Sequence, residues 1–244
     1  MIKSKSPLAT LLEAEQAILT PWLSRIFGYY CLSLGSFSAK MAITNHSRVQ
    51  HCFFINEQLP LAYSQDNQCK ALLHQLPIAS DSIDLVVLLH QLEFSAYPHQ
   101  VLREIERVLI PEGRLIIAGL NPWSLFGRRW AHTLLTEIPQ QVPKTNFISQ
   151  IRIKDWLQLL GFEIEKQHRL ICIPPFHNNT MMHYLAPIDN ALLKFFPALS
   201  SLYLVQAKKK ISTLTPIKPL WQSSPNFAKT TSQPSPVNRY NEKS

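Results

Sequence analysis

The chain has 244 residues, 46% of them hydrophobic and 16% charged, with a formal net charge of +8. That balance suits a folded protein with a sizeable core and excludes a largely disordered chain, and no apolar run reaches the ~20 residues that span a bilayer. The positive charge first suggests nucleic acid or an anionic surface, but from Lys208 onward seven bases (Lys208, Lys209, Lys210, Lys218, Lys229, Arg239 and Lys243) face only Glu242, so the expectation is a basic tail on a near-neutral body.

Lys3 and Lys5 are followed by no continuous apolar stretch and no small-residue cleavage pattern, so no secretory signal is expected. Apolar positions at Leu11, Leu12, Ala14, Ile18, Leu19, Trp22 and Leu23 predict one or two amphipathic helices within residues 8–27, with Pro21 opening the second. Short apolar runs predict strands at 29–34, 49–55 and 69–73. Cys31, Cys52, Cys69 and Cys172 form no Cys-x-x-Cys pair and have mostly apolar neighbours, which predicts buried, reduced thiols and a cytoplasmic setting.

The middle of the chain is the most regular. A strand at 83–89 follows the acidic turn Asp81-Ser82. An amphipathic helix at 98–109 carries Val101, Leu102, Ile105, Val108 and Leu109 on one face. The turn Pro111-Glu112-Gly113 then leads to a strand at 114–120. Strand, helix and strand at these lengths read as a parallel β-α-β unit, which puts both strand C-termini on the edge where open α/β sheets bind ligands. Residues 147–160 predict a helix closed by Gly161, and 162–173 a sixth strand. Residues 128–146 and 174–196 show no clean periodicity. After Lys210 the chain is rich in Pro, Ser, Thr, Lys and Asn and predicts a disordered tail. The expected organisation is a helical segment at 1–28, a sheet domain at 29–210 and a basic tail at 211–244.

Leu76-Pro77, Asp81-Ser82-Ile83-Asp84, His90-Gln91-Leu92-Glu93, Leu102-Arg103-Glu104, Arg107-Val108-Leu109 and Pro111-Glu112-Gly113 stand in a diagnostic order and spacing. Over roughly residues 71–120 the chain resembles the type-11 class I methyltransferases. The resemblance implies a doubly wound, mostly parallel, seven-stranded Rossmann-like sheet, with 201–207 as its antiparallel last strand. It implies S-adenosylmethionine as cofactor and transfer of its methyl group to a small-molecule or macromolecular acceptor. Segments placed like 128–146 and 174–196 cover the substrate side in that fold.

The cofactor loop departs from the family pattern. A GxGxG-like loop usually follows the first strand, because glycines let backbone N–H groups approach the cofactor. Here the stretch is Leu32-Ser33-Leu34-Gly35-Ser36-Phe37-Ser38-Ala39. Gly35 stands, Ser33 takes the acidic position, and Phe37 and Ala39 take the second and third glycines. The second strand ends Asn56-Glu57, where the family places an acid that accepts two ribose hydroxyls. Leu72 stands where an Asp often precedes the adenine. The resemblance therefore names Gly35, Ser36, Phe37, Asn56, Glu57, Gln75 and Leu76 as the cofactor side. Two outcomes stay open. Phe37 fills part of the cofactor pocket, leaving a binding protein that keeps the fold without methylating; or Phe37 packs beneath a re-routed loop whose amides still hold the methionine end.

His90 and Glu93 follow the fourth strand, at the edge where the methyl group would sit. Histidine titrates near neutrality and can take a proton from an oxygen or nitrogen nucleophile. The structural alternative has His90 ending a strand and Glu93 starting a helix. Asn121 and Trp123 follow the fifth strand as substrate-side candidates; as a plain turn, Asn121 caps a helix, Pro122 takes its first position and Trp123 packs. Arg128 and Arg129 are either contacts for an anionic substrate or surface charges. The pairs His46/His51 and His177/His183 lack the spacing and adjacent acid of a zinc site, so no metal is expected. No GxSxG or P-loop supports a hydrolase or nucleotide triphosphatase. Nucleic acid as a partner rests on the tail, whose aromatics are only Trp221, Phe227 and Tyr240, a sparse stacking platform.

Overall fold

The computed structural model describes residues 7–35, 37, 47–57, 67–137, 146–170 and 200–210. The chain divides into two compact units, Met1–Ser212 and Thr213–Ser244. The expectations for residues 174–196, for the tail and for Ser36, His46, Cys172, His177 and His183 lie outside the described residues.

The elements are α1 (Pro7–Leu23), β1 (Phe27–Leu34), β2 (Arg48–Asn56), β3 (Gln68–Lys70), β4 (Ile83–Leu89), a short 3₁₀ turn (Leu92–Phe94), α2 (Pro98–Val108), β5 (Leu109–Leu120), α3 (Leu125–Glu137), α4 (Gln150–Leu159), β6 (Phe162–Leu170) and β7 (Leu202–Lys209). The strands form one seven-stranded sheet in the order β3-β2-β1-β4-β5-β7-β6. β1 to β5 are parallel, and β7 runs antiparallel between β5 and β6. The chain order reverses between β1 and β4, so their C-terminal tips bound the crevice where such sheets take ligands.

Strand β4 reads Ile-Asp-Leu-Val-Val-Leu-Leu because both of its faces are covered. On one face Leu11, Leu19 and Leu23 of α1 and Trp130 and Leu134 of α3 pack on Cys31, Leu85, Val87 and Ile116. On the other, Val101, Leu102 and Ile105 of α2 and Ile153 and Leu157 of α4 pack on Leu32, Val86, Leu88 and Leu115. Each such buried side chain contributes roughly 1.5–3 kcal/mol of transfer free energy. Asp84, the polar member of β4, accepts the N–H groups of Tyr29 (3.0 Å) and Tyr30 (2.9 Å). Gly28 leaves room for it: a Cβ there would fall 2.5 Å from that of Asp84.

Several expectations are corrected. The N-terminal segment is one helix, with Pro21 inside its last turn. Leu19 and Leu23 sit on the same buried stripe either side of the proline, so packing carries the helix through it. Pro111-Glu112-Gly113 is no boundary, since β5 starts at Leu109 directly after α2. Between the pairs Ile83↔Leu109 and Leu85↔Arg114, β5 advances five residues while β4 advances two, so the predicted turn is a bulge in one strand. Residues 128–137 belong to helix α3; its buried positions Gly127, Trp130, Ala131 and Leu134 follow a helical period hidden by two small residues. Cys69 is exposed, while Cys31 and Cys52 are buried.

The charge distribution also changes. Lys208, Lys209 and Lys210 are not tail: Lys208 pairs with Glu112, Lys209 with Asp81 (2.9 Å) and Glu106 (3.3 Å), and Lys210 with Glu163 (3.1 Å). Beyond them only Lys218, Lys229, Arg239 and Lys243 face Glu242, a balance of +3. Among the described residues no helix is long and apolar enough to cross a membrane.

Candidate functional site

At the tip of β1, Gly35 turns the chain with φ +89° while its N–H donates to the carbonyl of Ile55 (2.9 Å). The side chain of Gln91 lies directly over it, and a Cβ at Gly35 would come within 2.8 Å of the Gln91 Cδ. Register places the next strand tip alongside, because Leu34 pairs with Leu88. His90 follows β4 with φ +50°, and its N–H donates to Ala118 on β5 (2.9 Å). A left-handed conformation in a residue other than glycine costs about 1–2 kcal/mol, so surrounding contacts hold it.

The strongest of those contacts comes from α1. His90 Nε2 lies 2.6 Å from Glu15 Oε1, and both side chains are fully buried. Burial pushes the imidazole pKa down, but the charge and hydrogen bond of Glu15 and the charge of Glu93 outweigh it, leaving it above its ordinary value. Sequence reasoning missed Glu15. A signal existed: Leu11, Leu12, Glu15 and Leu19 share one buried stripe, where a carboxylate needs a partner.

Glu93 is buried in the 3₁₀ turn, and the next α-helix starts at Pro98 and not at Glu93. Its Oε1 accepts the N–H of Leu120 (2.7 Å). Burial raises its carboxyl pKa, against the pull of His90 and of that N–H. Gly119 is required beside it, since a Cβ there would fall 2.7 Å from Glu93 Oε1. The Tyr203 hydroxyl, held well above its ordinary range by burial and then by Glu93, donates to the carbonyl of Ile148 (3.1 Å).

Phe37 is 1% exposed and belongs to the core formed with the α1 leucines. Its ring meets His90 edge-on at 6.0 Å between centroids and lies 6.1 Å from Phe94. Ser33 is buried one strand position before Leu34. Among the described residues Ser33 Oγ, His90 Nδ1, Glu15 Oε2 and Glu93 Oε2 are buried polar atoms without a hydrogen-bond partner.

The other candidates lie at the end of β2 and on the segments that follow β2, β3 and β5. Asn56, nearly buried, ends β2 and accepts the N–H of Ala71 on its carbonyl. Glu57 Oε1 accepts the N–H of Leu73 (3.1 Å). Gln75 sits in a turn, its N–H donating to Leu72, and the N–H of Leu76 donates to Glu104 Oε2 (3.0 Å). Arg107 completes that clamp by donating to the carbonyls of Leu76 (3.1 Å) and Ile78 (3.0 Å), to Ser80 Oγ and to Glu104. The Leu-Pro, Arg-Glu and Arg-Val-Leu elements are thus one device that pins residues 76–80 to α2.

Asn121 closes a turn rather than capping a helix. Its amide nitrogen donates to Ser200 O (2.8 Å) and its Oδ1 accepts the N–H of Trp123 (3.2 Å). The N–H of Arg128 reaches back to Ser124, so α3 begins after Ser124 and not at Pro122. Trp123 does not pack; it is 80% exposed. Arg128 and Arg129 are exposed on α3. Among the described residues no group of three His, Cys, Asp or Glu could hold a metal.

S-adenosylmethionine is the cofactor the fold implies, and the edge has features that fit it. The Gly35 turn is a close backbone approach point, Ser33 and His90 bring to the adjoining strand ends buried polar atoms without a partner among the described residues, and Glu57 spends one carboxylate oxygen on Leu73.

The strand order, the antiparallel β7 and the Gly35 turn at the β1/β4 switch define a class I methyltransferase fold. A model of a methyltransferase domain matches residues 33–117. The uncharacterized protein YafS of Escherichia coli (strain K12) is 32% identical over 212 residues, covering 86% of this chain and 80% of YafS. The chain belongs to the type-11 family of class I methyltransferases. A SAM-dependent methyltransferase from Archaeoglobus fulgidus shares the fold with a TM-score of 0.59 at 14% identity, covering 82% of this chain and 94% of its own. The [4+2]-cyclase SpnF shares it with a TM-score of 0.55 at 15% identity, covering 84% and 93%.

Proposed function

We propose that the protein transfers the methyl group of S-adenosylmethionine to an acceptor at the crevice between the tips of β1 and β4. The observation that carries this is the convergence there of the left-handed Gly35 turn with buried polar atoms of Ser33, His90 and Glu93 that have no hydrogen-bond partner among the described residues. When bound, the cofactor supplies an electrophilic methyl group on a sulfonium. The protein's share is alignment and exclusion of water, which account for much of the acceleration in such transfers. Gly35, Ser36 and Phe37 would flank its methionine end, Asn56 and Glu57 its ribose, Gln75 and Leu76 its base. His90 and Glu93 would stand at the reacting end, and Asn121 and Trp123 would border the acceptor. The free thiols of Cys31, Cys52 and Cys69 favour a cytoplasmic setting for this reaction.

Calorimetric titration of the full chain with S-adenosylhomocysteine tests the reading. Saturable heat with one site is the expected result, and no heat with either that ligand or S-adenosylmethionine overturns it.

One observation favours a second reading, a methyltransferase-fold binding protein without catalysis. Phe37 replaces a glycine and Gln91 lies over Gly35, so two side chains occupy the neighbourhood that the family keeps open. Under that reading neither ligand binds until those side chains are removed. The SpnF likeness illustrates that the fold alone leaves the reaction undetermined.

A further inference from the structure

We infer that Glu15 and His90 act as one unit, Glu15 positioning the imidazole and His90 Nδ1 taking a proton from the methyl acceptor. This inference rests on the methyltransferase reading and goes beyond it in assigning the base, its positioning residue and the kind of acceptor.

The geometry makes the assignment. Nε2 is committed to Glu15 at 2.6 Å, which leaves Nδ1 as the ring atom with an open lone pair, and Nδ1 has no partner among the described residues. A carboxylate on Nε2 keeps the proton there, fixes the tautomer and stabilises the imidazolium that forms when Nδ1 is protonated. The charged and titratable groups facing the ring are Glu15 from α1 and Glu93 from the 3₁₀ turn. Glu93 is poorly suited to the same task, because burial holds its carboxyl toward the protonated form.

Burial supplies the need for such a base. His90 and Glu15 are both fully enclosed with α1 packed over the sheet edge, so a proton released there cannot pass directly to bulk water. An amine attacks through a lone pair it already has, whereas a hydroxyl becomes a good nucleophile only as its proton leaves. A hydroxyl-bearing acceptor therefore fits the pair. In the step, the O–H bond breaks, its electron pair remains on oxygen to form the new O–C bond, and the proton moves to Nδ1. The C–S pair returns to sulfur, and Glu15 keeps its charge throughout.

The test uses the full chain with ¹⁵N-labelled histidine and follows His90 by NMR through a pH titration, once with S-adenosylhomocysteine and once with S-adenosylmethionine. The two ligands differ by the methyl group and one positive charge. At pH above the folded His90 pKa, the expected signature is Nε2 protonated and Nδ1 bare. A positive charge near the ring disfavours the imidazolium, so the His90 pKa should be lower with the sulfonium by about one unit or more. Glu15→Gln, which keeps size and an amide oxygen for Nε2–H, should lower that pKa by about one unit while changing S-adenosylhomocysteine affinity less than about twofold. An Nδ1–H tautomer, or the same pKa with both ligands, overturns the inference while cofactor binding stands. Failure of both ligands to bind overturns the methyltransferase reading itself. The ligand comparison needs no variant, so poor folding of Glu15→Gln leaves it decisive.

Discussion

The ring of Phe37 stands edge-on to the imidazole of His90, centroids 6.0 Å apart and planes at 89°. Phe37, from the segment after β1, thereby touches the residue after β4, across the strands where the sheet reverses. The contact joins the most unusual feature of the loop to the leading catalytic candidate. Phe37→Ala should cost about 3–5 kcal/mol, the usual penalty for truncating a fully buried phenylalanine. Its S-adenosylhomocysteine affinity should be unchanged or weaker. Chemical denaturation and calorimetry measure the two effects, and tighter binding in the variant would favour the non-catalytic reading.

Gly35 combines a φ of +89° with a side chain pressed against its Cα. Gly35→Ala should destabilise by about 1–2 kcal/mol from backbone strain alone, with an added steric part from Gln91. Gly35→Ala combined with Gln91→Ala should recover only the steric part. Equal stability of wild type and the single variant in urea unfolding would show that this turn is not fixed as described.

Breaking the Glu15–His90 pair from one side leaves a buried polar group exposed to nothing. Glu15→Ala should therefore lower stability by about 3–5 kcal/mol. Replacing both residues by Met should cost clearly less than the two single changes added together. A double-mutant cycle gives the coupling; additivity would mean that the two side chains do not interact.

Glu93 makes stability depend on pH. Below the ordinary glutamate value of 4.5, the carboxyl is protonated in both folded and unfolded chains. As pH rises, the unfolded chain ionises first, because burial holds the folded carboxyl up, and stability falls through the raised folded value. His90, also raised, acts with the same sign: its contribution is present below 6.5 and fades as pH rises through its folded value. Glu93→Gln keeps an oxygen for Leu120 N–H and removes the first of these losses. Its melting temperature relative to wild type should increase from about pH 4 to about pH 8 in thermal scans. A constant difference would place the Glu93 carboxyl in its ordinary range.

Arg107 ties residues 76–80 to α2 through three main-chain or hydroxyl oxygens and Glu104. Arg107→Lys should lose about 1–3 kcal/mol, since an ammonium cannot reproduce the forked geometry. Hydrogen exchange at Leu76, whose N–H Glu104 accepts, should quicken more than at the centre of β4. Unchanged protection there would rule out the clamp.

Much of the scaffold is legible in the amino-acid sequence alone. The unbroken apolar run of β4, the stripe of α2 and the Leu-Pro, Arg-Glu and Arg-Val-Leu spacings depend on neighbours within a few turns of chain, so local pattern carries them. Where local signals conflict with packing, packing wins: α1 runs through Pro21 because its leucines stay buried, and β5 absorbs Pro111–Gly113 as a bulge. Helix α3 is hidden from periodicity because Gly127 and Ala131 supply its inner face without hydrophobic bulk.

Local sequence thus dictates the sheet-building elements, their family spacing, and the position of His90 and Glu93 at the end of a parallel strand. The company these two keep comes from the tertiary fold. Glu15 stands 75 residues from His90 and meets it only because α1 folds over the sheet edge. Phe37 reaches the imidazole only because β1 and β4 are neighbours across the reversal. Burial, not composition, raises the Glu93 carboxyl and works against the charge of the imidazole, because desolvation exists only once the layers have closed.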